Sequence, residues 1–437
     1  MHHTFALFCY RLVLLLLLPI VLLLLVARSK NHPEYRQRLN ERLGWLKTPF
    51  SPNGIVIHAA SVGEVIALKA YIEKILQTQP ELPVTVTTFT PTGSAQVNKL
   101  FANRVQHCYL PLDIWPCTWL FLNALKPKAL VLMETELWPN LIAQCQARNI
   151  GLQLINGRLS DHSMKSYRKL NWLITPCLQR FDKILTQSDD NRENFLRLGA
   201  LPERCLVSGN LKYDIQLSDE VIAKAQALKN MVPETRKVWL VASTHPGDEE
   251  LVLSSFKALK QQHEALLLVL VPRHPERFTQ VYEYSVEQGF NTIKRSEKLT
   301  VENHHDIWLI DTLGELLALC DLADIVAMGG SFSTIGGHNP LEPALFKKAI
   351  VVGHDMSNFK QVMAQLISAG GIKQLSTTSR SSFAQVVEQL TLEVNDLLAD
   401  HQARLTLGQH AYQVVQANQG ASELSAQALR SLLATKQ

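Results

Sequence analysis

The sequence predicts an α/β protein made of two doubly wound, parallel-sheet halves. Three observations lead there. Short β-rich runs alternate with helix-like stretches, the alternation breaks near Pro233 and then restarts, and 437 residues exceed what one hydrophobic core usually organises. Strands are expected at 55–58, 84–89, 129–133, 152–155, 183–186 and 206–208, and again at 238–242, 266–271, 307–310, 325–328 and 349–352. A linker is expected near 212–236, with a polar helical stretch at 218–229, and the tail from Ser381 to about Leu433 reads as helical. The expected division is an apolar anchor at 1–30, one Rossmann-like domain at 31–215, a second at 216–400 facing the first across a crevice, and a helical tail at 401–437 lying across both.

The apolar segment comes first in the chain. From Leu12 to Val26 there is no charge, and the apolar character reaches back to Phe5 with only Arg11 interrupting it. That is near the length needed to cross a bilayer. Arg28, Lys30, Arg36, Arg38, Arg42 and Lys47 follow, against Glu34 and Glu41, which keeps the following domains on the cytoplasmic side. A cleaved signal peptide would carry its charge ahead of the apolar run and a small-residue site after it, and Val26-Ala27-Arg28-Ser29 is a poor site. The expectation is a retained membrane anchor, with Arg11 leaving open a shallow interfacial helix.

Seven scattered cysteines without a Cys-x-x-Cys pair, and histidines without an H-E-x-x-H pattern, imply no disulfide framework, metal centre or bound cofactor. A net charge of +4 argues weakly for nucleic acid and better for anionic lipid headgroups.

Polar clusters fall at the ends of the expected strands, where open α/β sheets bind ligands. After the first strand stands Ser61-Val62-Gly63-Glu64, which fits both a capping box and a catalytic carboxylate at a corner. Thr92-Gly93-Ser94 reads either as an anion cradle or as an ordinary cap. Glu134-Thr135-Glu136-Leu137-Trp138 directly follows a buried run and carries more polar function than a helix start needs, and Asn156 to Ser160 ends the next strand. Lys212, in Gly209-Asn210-Leu211-Lys212-Tyr213-Asp214, stands at the expected domain junction as a cation able to neutralise a leaving phosphate, or simply as a solvated lysine.

In the second half, Pro272-Arg273 follows a very apolar strand, and an arginine there suits bidentate contact with phosphate. Leu313-Gly314-Glu315 permits close backbone approach. Gly336-Gly337-His338-Asn339-Pro340-Leu341-Glu342 combines backbone freedom, a helix-starting proline and a carboxylate able to hold a ribose diol. There is no G-x-x-x-x-G-K-[ST] loop and no G-x-G-x-x-G after the first strand of either half, which counts against an ATPase and a simple nicotinamide dehydrogenase.

These segments together resemble the 3-deoxy-D-manno-octulosonic acid (Kdo) transferases of lipopolysaccharide assembly. The resemblance runs in order through His58 to Glu64, Thr88 to Ser94, Met133 to Asn140, Gly209 to Asp214, Ser243 to His245, Val271 to Phe278, Asp311 to Leu316 and Gly336 to Glu342. It implies a GT-B glycosyltransferase that works at the inner membrane and carries Kdo from CMP-Kdo to a lipid A precursor (lipid IVA) with inversion. It also implies Glu64 as general base and Glu134 and Lys212 as transition-state stabilisers. Pro272, Arg273, Leu313, Gly314, Glu315, Asn339, Pro340, Leu341 and Glu342 are the implied CMP-binding groups. Leu313 stands where some relatives carry methionine, a change that leaves a backbone contact intact. The rival expectations are a GT-B enzyme using a UDP-sugar and a membrane-attached, non-catalytic binding protein on the same fold.

Overall fold

The computed structural model describes residues 2–28, 34, 37–47 and 49–436. Among the described residues, fourteen strands form two seven-stranded sheets whose recorded pairings are all parallel. The first compact unit holds residues Met1–Asp214 and Asn418–Gln437, and the second holds Ile215–Ala417.

In the first unit the strands are β1 (Ile55–His58), β2 (Val84–Thr88), β3 (Gln106–Tyr109), β4 (Ala129–Met133), β5 (Gly151–Gly157), β6 (Lys183–Thr186) and β7 (Cys205–Val207), in the order β3-β2-β1-β4-β5-β6-β7. β1 and β4 are apolar almost throughout and buried at every position, as a sheet covered on both faces requires. After β1, β2, β5 and β6 the chain turns into helices whose first backbone N–H groups are taken up by Ser61, Thr90, Ser160 and Ser188. Each such cap contributes about 0.5–2 kcal/mol.

The helix His2–Arg28 lies against the helices Pro139–Ala147 and Asn171–Leu178 of this unit. Tyr10 donates through its hydroxyl to Asp113 Oδ2 (2.9 Å), and Arg11 donates from Nε to Asn140 Oδ1 (2.8 Å), its guanidinium standing 6.0 Å from the Trp115 ring. Arg11, the charge that interrupts the apolar run, is therefore bound within the protein. Among the described residues no helix is long and apolar enough to cross a membrane.

The second unit carries β8 (Val238–Thr244), β9 (Leu267–Pro272), β10 (Thr292–Lys294), β11 (Ile307–Leu309), β12 (Ile325–Met328), β13 (Ala349–Val352) and β14 (Lys373–Gln374), ordered β10-β11-β9-β8-β12-β13-β14. Its core gathers Trp239, Val241, Phe256, Leu268, Leu270 and Ala327, with Leu390, Val394 and Leu398 of the helix Phe383–Ala399.

The helical tail divides. The helix His401–Asn418 packs in the second unit, where Gly408 faces the Lys347 carbonyl so closely that a Cβ would stand 1.9 Å from its oxygen. The chain then returns to the first unit, and the helix Ala421–Thr435 packs on β5 and on the helix Lys69–Thr78. Asp214 fastens that return by accepting from the backbone N–H groups of Gly420 (2.7 Å) and Ser422 (2.5 Å), and Gln153 donates to the Ser425 carbonyl (3.0 Å).

Removing the Asp214 acceptor strands two backbone donors, so Asp214→Ala is expected to cost about 1–3 kcal/mol in urea unfolding. Hydrogen exchange is expected to quicken first in the helix Ala421–Thr435.

Candidate active site

In each sheet the first strand in sequence is flanked by its successor on one side and by the strand that restarts the order on the other, β2 and β4 beside β1 and β9 and β12 beside β8, so the crossover helices diverge there and leave a gap at the carboxyl edge. In the first unit the gap lies between β1 and β4. Glu64 stands just past one strand, and Glu134 and Glu136 just past the other.

Glu64 is held by the turn that carries it. Ser61 accepts from the Glu64 backbone N–H (3.3 Å) and donates through its hydroxyl to Glu64 Oε1 (3.0 Å), while the Ala60 N–H donates to Glu64 Oε2 (2.9 Å). The cap and the placed carboxylate are one arrangement. Burial pushes the Glu64 carboxyl above its ordinary range; the Ala60 N–H pulls it back, the Glu134 charge adds to the rise, and Ser61 and Lys212 oppose it.

Glu134 has φ of 56°, a left-handed conformation unusual for a residue with a side chain, and its N–H donates to the Ile155 carbonyl (3.0 Å). Thr135 donates to the Arg158 carbonyl, tying the loops after β4 and β5 together. Glu136 is partly buried, and its carboxyl is pushed up to about 7, by burial first and then by the charges of Glu64 and Glu134, against the pull of the Trp138 side chain. Its Oε2 lies 3.8 Å from Nε2 of the fully buried His58, whose burial holds the imidazole down to about 3.

Lys212 sits in the short turn Leu211–Tyr213, half-buried. Its backbone N–H is capped by Asn210 Oδ1 (3.0 Å), and Asn156 Oδ1 accepts from the Leu211 N–H (3.1 Å). Burial lowers the Lys212 pKa; the charges of Glu134 and Glu64 pull it back up, and Arg158 lowers it further. Glu64, Glu134 and Lys212 thus feel one another electrostatically within one unit. The Thr92-Gly93-Ser94 segment is accounted for as a helix start: the Gly93 N–H donates to Thr90 Oγ1 (3.1 Å), and Arg38 donates to Ser94 Oγ (3.2 Å).

In the second unit the gap lies between β8 and β12. Asp248 bridges it, its Oδ2 accepting from the His245 N–H (2.9 Å) and the Gly330 N–H (2.7 Å). Gly329 permits the approach, because a Cβ there would stand 2.4 Å from the Ser243 carbonyl oxygen. Pro272 ends β9, and the Arg273 N–H donates to the Thr244 carbonyl (3.0 Å) while its side chain is exposed. Glu249, almost fully buried, is paired with Arg277 (2.7 Å) and accepts from Thr244 Oγ1 (2.6 Å).

Leu313 and Gly314 are exposed beside buried Glu315, which Arg295 holds at 3.2 Å, and Gly314 has φ of 84°. Asn339 Oδ1 accepts from the Leu341 N–H (3.2 Å), and its Nδ2 donates to Glu342 Oε1 (3.4 Å). Pro340 is the residue before the helix Leu341–Leu345, one position earlier than a first helical residue. The Glu342 carboxyl is pushed up to about 7 by burial, against the pull of Asn339 and Arg273. His338 Nε2 approaches His245 Nε2 to 2.8 Å, the two rings stacked. Among the described residues no group of three or more His, Cys, Asp or Glu is arranged to hold a metal ion.

Sequence reasoning named Asn156 and Asn210 only within their segments, without the bonds they make, and missed Asp248 and Glu249. Only the burial of acids at Asp248 and Glu249, within a helix-starting Gly247-Asp248-Glu249-Glu250, offered a signal, and it reads as ordinary helix acidity.

A family model described as 3-deoxy-D-manno-octulosonic-acid transferase (kdotransferase) matches residues 37–215. The 3-deoxy-D-manno-octulosonic acid transferase of Haemophilus influenzae is 38% identical over 95% of this chain and 96% of its own. That of Rickettsia bellii is 31% identical over 83% of this chain and 86% of its own. Among solved structures, the UDP-GlcNAc 2-epimerase of Neisseria meningitidis, 16% identical, covers 86% of this chain and 100% of its own at a TM-score of 0.56, a likeness of fold. Identity of this extent along almost the whole of both chains, over a fold of two parallel sheets, means that the chain belongs to the 3-deoxy-D-manno-octulosonic acid (Kdo) transferase family.

Proposed function

We propose that the chain is a GT-B transferase of lipopolysaccharide biosynthesis that moves Kdo from CMP-Kdo to a lipid A precursor, lipid IVA, with inversion. The observation that carries the chemistry is Glu64, fixed by two donors at the carboxyl edge of β1 in the field of Glu134 and Lys212. Glu64 takes the proton from a primary hydroxyl of the glucosamine disaccharide as that oxygen bonds to the anomeric carbon of Kdo. The bond from that carbon to the phosphate oxygen breaks, and CMP leaves as a phosphate monoester. Glu134 faces the positive charge that gathers on the sugar, and Lys212 the negative charge that gathers on the departing oxygen.

The CMP-binding groups are Pro272, Arg273, Leu313, Gly314, Glu315, Asn339, Pro340, Leu341 and Glu342. Arg273 serves the phosphate, Glu342 the ribose, and the Leu313-Gly314 backbone the base. Exposure of Arg273 and of the Leu313-Gly314 turn supports this assignment.

The protein works at the cytoplasmic face of the inner membrane. The helix His2–Arg28 lies in the headgroup region with Phe5, Phe8, Leu12, Leu15, Leu16 and Ile20 turned outward. Exposed Trp115 and Trp119 suit an interface, and Lys165, Arg168 and Lys169 are exposed for anionic lipids.

Mass spectrometry of products from CMP-Kdo and lipid IVA tests the reaction. Glu64→Gln is expected to cut turnover about 10²- to 10⁴-fold with CMP affinity nearly intact. Near-normal turnover would return Glu64 to capping alone. CMP at a hundred times its dissociation constant is expected to add ~2.7 kcal/mol to stability in thermal melts, with UDP adding much less. The opposite order would favour a UDP-sugar. In flotation with phosphatidylglycerol vesicles, Trp115→Ala/Trp119→Ala is expected to weaken partition by about tenfold or more, and an unchanged partition would remove these tryptophans from the interface.

A further inference from the structure

His58 is the last residue of β1, wholly buried, with the rings of Phe89 and Trp138 edge-on at 5.2 and 6.4 Å. Its Nδ1 lies 3.2 Å from the Thr87 carbonyl oxygen and 3.0 Å from Thr87 Oγ1, and that hydroxyl donates onward to the Ile57 carbonyl (3.4 Å). A carbonyl only accepts, so this network assigns the ring proton to Nδ1. Nε2 is then a lone pair, buried and without a hydrogen-bond partner. The polar atom facing it is Glu136 Oε2 at 3.8 Å, and a carboxylate there would set lone pair against lone pair.

The charges of Glu64 and Glu134 also raise the proton affinity of Glu136, and what separates Glu136 from Glu64 is the set of donors each meets. Glu64 has the Ala60 N–H, the Ser61 hydroxyl and the charge of Lys212. Glu136 has the Trp138 side chain in its favour as an ion and otherwise faces a base.

We infer that Glu136 is a positioning residue, a neutral carboxylic acid in the resting enzyme with its proton aimed at His58 Nε2, and that by staying uncharged it leaves Glu64 ionised as the base and admits an anionic donor. The inference deepens the transferase reading and rests on it. The charged and titratable groups around Glu136 are Glu64 from the helix Val62–Ala67, Glu134 in its own loop, His58 from β1 and Tyr167 from the helix Asp161–Arg168, with Lys212 in the field of Glu64 and Glu134 and Arg158 in turn acting on Lys212. The rise of the Glu136 carboxyl to about 7 agrees with the geometry. A separation of 3.8 Å is too long for a hydrogen bond, and bonds of this kind often tighten only when substrate excludes water.

The test is the pH profile of kcat/KM for CMP-Kdo with the full chain, beside infrared pH-difference spectra of the same protein without substrate. Above about pH 7 the added negative charge repels the donor, and wild-type kcat/KM is expected to fall by up to about tenfold per pH unit before levelling off. Glu136→Gln, which fixes the neutral state, is expected to lose that alkaline limb and the protonated-carboxyl band that wild type shows near neutrality. A wild-type profile flat from about pH 6 to about pH 9 overturns the inference without any variant. An alkaline limb or a carboxyl band that persists in Glu136→Gln also overturns it, as does a folded Glu136→Gln as inactive as Glu64→Gln. If wild type makes no Kdo product, the transferase reading fails, and the infrared band still decides the state of Glu136.

Discussion

The structure depends on one constraint: a parallel sheet covered by helices on both faces leaves only its edges open. Both sheets obey it, with strand runs such as Ile325–Met328 and Ala349–Val352 buried at every position. Polar chemistry is therefore confined to the loops beyond the strands, and the diverging helices beside β1 and β8 decide which loops have room. The three carboxylates of the first unit and the Asp248 bridge of the second occupy equivalent places on their sheets. The bridge joins strand ends through backbone N–H groups, whereas the gap of the first unit is lined by Glu64, Glu134 and Glu136, so the same gap is closed in one sheet and bordered by carboxylates in the other.

The capping and catalytic readings of Ser61 to Glu64 compete in the sequence, and the geometry of the turn is compatible with both. A capping box ordinarily satisfies the helix, with the glutamate as servant of the backbone. Here the Glu64 carboxylate takes its donors from Ala60 and Ser61, both on the strand side of the turn, and those bonds fix both oxygens at the sheet edge. Two bonds also favour the ionised form against the burial that opposes it. Positioning and protonation are set by the same atoms.

Much of the fold was legible, and the misses share a cause. β3, β10 and β14 were not expected, and each is an edge strand. An edge strand has one neighbour and needs no continuous apolar run, so Gln106-His107-Cys108-Tyr109 and Lys373-Gln374 carry no strand signature. The central strands, which must be apolar on both faces, were placed within a few residues. At the site, Glu64, Glu134, Arg273 and Glu342 were readable because each follows a strand or opens a helix in a local pattern. The roles of Asn156 and Asp248 were not, because their work is to join segments 55 and 82 positions away, and that proximity is made by strand order. His58 was quoted for its motif alone; its unpartnered Nε2 exists only once Phe89 and Trp138 have closed over it.

Three non-glycine residues at the ends of central strands adopt left-handed backbone: Glu134 after β4 (φ 56°), Asn156 in β5 (φ 53°) and Ser243 in β8 (φ 59°). Such a conformation costs about 1–3 kcal/mol, and glycine would relieve it. In β5 and β8 it accompanies a slip in strand register, between Leu154 and Gly157 and between Ala242 and Thr244. Glycine at Asn156 would lose the side-chain oxygen that holds the turn before Lys212. Glycine at Glu134 would lose a carboxylate whose field reaches Lys212 and Glu64. At these two positions the side chain is what the strain retains, so the backbone cost and the electrostatics of the site have one origin: Glu134 and Lys212 are held in place from β4 and β5, the strands next to the gap, and not by the flexibility of their own loops.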